Sequence, residues 1–140
     1  RLYQDLRETS GLVYSIGAEL QSSKTRSVFA VSYACDPPNV AKARALVERN
    51  LRLMQTKPVT AGELEQAKIL LLRSIPLSES SIHGIAGGLL DRSLRDLPLD
   101  EPITAAKRYV NLTAAQIQAA FSKWLKVEDL AQVVLGPAPK

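Results

Sequence analysis

The chain has 140 residues, 46% of them hydrophobic and 23% charged, the proportions of a folded globular domain able to bury a core. Its net charge of +4 comes from scattered Lys and Arg, with only short clusters at Arg49 to Arg52 and Arg92 to Arg95; with 5% aromatics, this argues against a nucleic-acid-binding face. No apolar run reaches the roughly 18 residues of a membrane span, and the lone cysteine, Cys35, excludes an internal disulfide while leaving the compartment open.

In chain order, Arg1 to Arg7 reads as the last turns of a helix, with Leu2 and Leu6 at i, i+4 and Gly11 as the break. From Tyr14 to Gln21 the residues alternate, with Tyr14, Ile16, Ala18 and Leu20 on one face. The polar SSKTRS stretch then reads as a hairpin turn, and alternation resumes over Val28 to Cys35. Pro37 and Pro38 end that strand, because proline cannot continue a ladder. A helix follows from Asn39 or Val40 to Lys57, with Val40, Ala43, Leu46, Val47, Leu51 and Met54 on one face.

Thr60 with Glu63 predicts a capping box for the next helix, which Pro76 must kink or end. A further helix starts near Glu79, a short one covers about Ile103 to Val110, and Thr113 caps a last helix with Ile117, Phe121 and Trp124 inward. AQVVLG, residues 131–136, reads as a closing strand. The pattern is α+β: an antiparallel-rich sheet with helices packed on one face, in a single domain over residues 1–140. Three strands are few for four or five amphipathic helices, and the chain opens on a helix end. Both features predict that a first strand-and-helix segment is missing.

Few residues carry chemistry. His83 is the sole histidine, and no His-x-x-Glu-His or His-Glu-x-x-His occurs, so the chain offers no catalytic zinc site and no metal ligands. The glycines Gly84, Gly87 and Gly88 lack phosphate-loop spacing and read as helix packing. Asn111-Leu112-Thr113 matches a glycosylation sequon, but capping already accounts for Thr113. Cys35 reads as a small buried residue. Arg7 and Tyr14 stay ambiguous. A cation suits a helix's last turn, and Tyr14 falls in register with Ile16, which favours a core-facing ring. Alternatively, guanidinium and phenol converge across the turn and donate to one carbonyl.

The stretch RLYQDLRETSGLVYSIGAEL resembles a segment of the second-half domains of the insulinase/pitrilysin (M16-like, inverzincin) zinc peptidases. The helices AKARALVERNLRLMQTKPVTAGELEQAKILLLRSI, the segment VNLTAAQIQAAFSKWL and the closing AQVVLGP extend the likeness over essentially the whole chain. In that family two α/β halves close like a clamshell around a peptide, and one half carries zinc.

The resemblance implies that this chain is the C-terminal, zinc-free half, inactive on its own. Arg7 and Tyr14 would be its substrate-binding residues, and peptide its substrate. Zinc would be held by a partner half, in the same chain or a separate subunit; no cofactor is expected in this chain. The family domain begins with strands and a helix upstream, and its glycine-rich guiding loop is not reproduced here. The alternatives are a catalytically inactive scaffold or assembly subunit of the same fold, and an unrelated ligand-binding α+β domain. Exported bacterial members favour a periplasmic location over a cytoplasmic one.

Overall fold

The computed structural model describes residues 1–137. It is α+β: a two-stranded antiparallel sheet with five α-helices. The chain falls into two compact units. Among the described residues, one comprises residues 1–22, 27–57 and 119–137, and the other residues 23–26 and 58–118.

The first unit opens on a π-helix, Tyr3–Thr9. Its wide winding shows at its end, where the Ser10 amide donates to the Asp5 carbonyl, five residues back, at 3.0 Å. Gly11, at φ +60°, turns the chain in the left-handed region that glycine enters without strain. The Leu12 amide then closes onto the Leu6 carbonyl at 2.9 Å. β1 (Ser15–Ser22) pairs antiparallel with β2 (Ser27–Ala34), setting Ile16 opposite Tyr33, Ala18 opposite Val31 and Leu20 opposite Phe29. The hairpin and its face are those expected from the alternation.

After a 3-10 turn at Pro37–Asn39, α1 (Val40–Thr56) runs back along the sheet. Leu6, Val13, Ala43, Val47, Leu51, Leu125 and Val127 form the buried core, with Ile16, Phe29, Val31 and Tyr33 packed against it. Phe29 meets Phe121 edge-to-face at 6.4 Å between centroids.

One polar group is built into this core's edge. The Asp5 carboxylate accepts from Asn50 Nδ2 at 2.6 Å and from Arg49 at 2.7 Å, tying the π-helix to α1. The Asn50 hydrogen bond, with Arg49 beside it, lowers the Asp5 pKa against an opposing effect of burial. A lowered folded value gives stability that is complete above the ordinary 3.8 and is lost as pH falls from there through the folded value. Asp5→Ala is therefore expected to cost roughly 1.5 kcal/mol at pH 7, the scale of a hydrogen bond to a charged group. Urea unfolding followed from pH 7 to pH 2 checks this: the gap between wild type and variant narrows below about pH 4.

The second unit carries α2 (Ala61–Ser78), α3 (Ile82–Leu94) and α4 (Glu101–Asn111), and α5 (Ala114–Trp124) leads out of it. Thr60 and Glu63 form the expected capping box, and Thr113 caps α5 by accepting from the Gln116 amide at 3.2 Å. Pro76 sits in the last turn of α2, so the helix ends two residues later. Lys68 on α2 donates to the Val110 carbonyl of α4 at 2.8 Å. Gly84 has a packing reason: a Cβ there would stand 2.2 Å from the Ser78 carbonyl oxygen. Among the described residues this unit buries none fully, and Leu70, Leu77, Ile82, Leu90 and Leu94 stay exposed.

Three expectations fail. Residues 131–136 form no strand, Tyr14 does not face the core but is 62% exposed, and Trp124, expected inward, is 76% exposed at the end of α5, where Lys123 Nζ lies over its ring. The second difference has a local cause. The Tyr14 amide donates to the Ala34 carbonyl at 2.7 Å, although Ser15 is the residue opposite Ala34. Two residues against one is the signature of a β-bulge, and it takes Tyr14 out of the alternation that Ile16 continues.

Candidate functional site

The turn between the π-helix and β1 brings Arg7 and Tyr14 together. Leu6 and Val13, both essentially inaccessible, clamp the two ends of this turn into the core. Arg7, the residue next to Leu6, is exposed. Its guanidinium donates to the Val13 carbonyl at 3.2 Å, the peptide that leads into Tyr14. The bulge then aims the Tyr14 ring outward. Its hydroxyl donates to Asp36 Oδ1 at 2.7 Å, across from the end of β2.

Asp36 is the member of this group that sequence reasoning missed. In Asp36-Pro37-Pro38-Asn39 the prolines read only as a strand stop, and no periodicity joins residue 36 to residue 14. Its effect is electrostatic. The hydrogen bond to Asp36, and then that carboxylate's charge, raise the Tyr14 pKa above 10.0, while the Arg7 charge pulls it down. Arg7 thus lies within electrostatic reach of the phenol. Asp36→Asn is expected to bring the Tyr14 pKa back toward the ordinary phenol value, read by ultraviolet titration of the phenolate band against a Tyr14→Phe control. An unchanged titration would mean that the contact does not persist in solution.

The set is a cation, a phenol and a carboxylate on an open surface. It can donate hydrogen bonds to a carbonyl and accept them from a peptide amide. A phenol has a single proton, and here Asp36 takes it. Tyr14 can therefore donate to a ligand only by leaving Asp36, or else it accepts through its oxygen.

The other candidates hold no comparable geometry. His83 is exposed near the start of α3. Among the described residues no cluster of three or more His, Cys, Asp or Glu could hold a metal ion. Cys35 packs against the core, and burial pushes its thiol pKa up, away from reactivity. Among the described residues no helix is long and apolar enough to cross a membrane.

Comparison with known proteins bears on this fold. Residues 1–71, which contain the π-helix, the hairpin, α1 and the first part of α2, match the family model described as the peptidase M16 inactive domain. A crystal structure of a peptidase M16 inactive domain from Pseudomonas fluorescens superposes with a TM-score of 0.76 at 24% identity. The match covers 90% of this chain but only 30% of that one. No curated protein matches. The chain belongs to the peptidase M16 family, as an inactive domain of the C-terminal type.

Proposed function

We propose that this domain is the substrate-binding, zinc-free half of a zinc-dependent metallopeptidase. Arg7 and Tyr14 contact the backbone of a peptide held between it and a zinc-bearing half. The observation that carries this reading is the turn itself. Two buried anchors, a left-handed glycine and a bulge fix this turn, with the Arg7 guanidinium bonded to the Val13 carbonyl and the Tyr14 ring turned out to solvent.

In this role the zinc-bearing half supplies the activated water, and this domain supplies orientation. Arg7 and Tyr14 hold the carbonyl of the scissile peptide, or steady the oxyanion formed from it, with charge-assisted and neutral hydrogen bonds. The Asp36 contact keeps the phenol positioned until a peptide takes its place. Zinc is then a cofactor of the assembled enzyme and not of this chain.

A peptidase assay with and without the zinc-bearing half, with a chelator control, tests the reading. Cleavage only when both halves are present, abolished by chelation, is the expected result. Cleavage by this chain alone would overturn it. Assembly of the two halves without any peptidase activity would favour a scaffold subunit of the same fold.

A further inference from the structure

Asp36 stands where a helix N-cap belongs, at the head of the Pro37–Asn39 turn, yet its side chain makes no capping hydrogen bond. The sequence explains why. A capping carboxylate accepts from the amide of the second or third residue of the turn. The second, Pro38, has no amide proton. The third, Asn39, donates to the Asp36 carbonyl at 2.9 Å instead. The carboxylate is left for another partner, and it takes the Tyr14 hydroxyl at 2.7 Å.

The prolines also hold this acceptor in place. A residue before proline is confined to extended backbone, and Asp36 sits there at φ −67° and ψ 147°. Tyr14 is fixed in turn by the bond from its amide to the Ala34 carbonyl. Ser15 and Ala34 are the last paired residues of the hairpin at this end, and Tyr14 and Asp36 lie just beyond them. Their side chains set a donor and an acceptor side by side. A residue in a paired strand presents the same combination with its backbone, because its N–H and C=O both point to one partner residue.

Turning the phenol's proton to a peptide carbonyl takes the donor away from Asp36. A carboxylate left unpaired beneath a bound peptide is costly. The bound chain carries a replacement: the N–H of the residue whose carbonyl the phenol holds. A cationic side chain fits less well, because Arg7 lies within electrostatic reach of the same phenol and repels it.

Building on the peptide-binding role of Arg7 and Tyr14, we propose that Asp36 is a third substrate-binding residue, whose carboxylate accepts the N–H of the substrate residue whose carbonyl Tyr14 holds. That residue is then bound in extended form, read through its backbone whatever its side chain. Proline is the exception, since it has no N–H to give.

The test uses the enzyme assembled with its zinc-bearing half and a peptide whose cut site is known from product masses. Replacing the residue on the amino side of the cut by its α-hydroxy acid turns the preceding amide into an ester. The N–H is lost while the scissile bond stays intact. In wild type this change should lower kcat/KM at least about tenfold, the effect of losing a hydrogen bond to a charged group. In Asp36→Ala, at an exposed position whose fold thermal melts check, the two substrates should differ by less than about twofold, because the partner of that N–H is already gone. An ester penalty absent from wild type, or as large in Asp36→Ala, overturns the assignment. So does an Asp36→Ala enzyme that keeps the ester penalty and loses only a preference for lysine over norleucine beside the cut. Tyr14→Phe and Arg7→Ala are assayed alongside. Rates near wild type in both overturn the underlying reading and this inference with it, whereas activity lost in both, with equal ester penalties, removes Asp36 alone.

Discussion

Tyr14→Phe and Arg7→Ala, each introduced into the enzyme assembled with its zinc-bearing half, are expected to lower kcat/KM by roughly a hundredfold, the usual effect of removing one donor to a developing oxyanion. The fold should survive both changes, because both side chains are exposed and neither belongs to the core. Tyr14→Phe removes only the hydroxyl and its contact with Asp36. Arg7→Ala also frees the Val13 carbonyl, so a small change in the turn accompanies the loss of charge. Arg7→Lys separates the two effects. It keeps the charge but not the planar fork of donors, and is expected to recover only part of the activity. Loss in kcat with little change in KM would place the pair at the reacting carbonyl, whereas a rise in KM alone would place it on the peptide elsewhere. Activity near wild type in both variants would remove Arg7 and Tyr14 from the mechanism. The peptidase assay and thermal melts of each variant, run side by side, decide between these outcomes.

Leu6→Ala is expected to cost about 3 kcal/mol, within the range seen for buried leucines. Leu6 is completely inaccessible, and it is where the π-helix, α1 and the Val13 turn meet. Truncating it removes apolar burial and leaves a cavity beneath the turn. Such a loss is a large fraction of the stability of an ordinary domain. Leu20→Ala, at a residue largely open to solvent, should shift stability by less than about 0.5 kcal/mol. Urea denaturation of both variants measures the contrast, and equal effects would mean that the core is not centred on Leu6. Because the same turn carries Arg7 and Tyr14, Leu6→Ala should also lower peptidase activity of the assembled enzyme under conditions where it remains folded.

The two expectations turn on different structural links. The first lives on exposed side chains outside the core, and the second on a side chain that never meets solvent. Their connection is geometric: the buried leucine holds the turn, and the turn holds the pair. The proposed substrate-binding pair would then sit on a rigid support, as precise positioning requires.

Most of the helices were legible in the residues. The face of α1, the capping box at Thr60 and Glu63, the Thr113 cap and the proline ends all depend on neighbours within four positions, and helix hydrogen bonds are equally local. The hairpin was legible for a related reason: its two strands are joined by a short turn, so the pairing partner is close in sequence. The family likeness, too, was written in the order of these elements, and Arg7 and Tyr14 stood out by their spacing once that likeness was drawn.

Three features needed the tertiary structure. Alternation put Tyr14 on the core face, and the slip at Ala34 turned it out. Asp36 reaches Tyr14 across 22 residues, a distance no periodicity spans. Residues 131–136 have the composition of a strand, yet form none. The physical reason is common to all three. A helix bonds to itself, so its sequence is sufficient to specify it. A strand and a surface cluster are completed by groups far along the chain, and their outcome is decided only when those groups arrive.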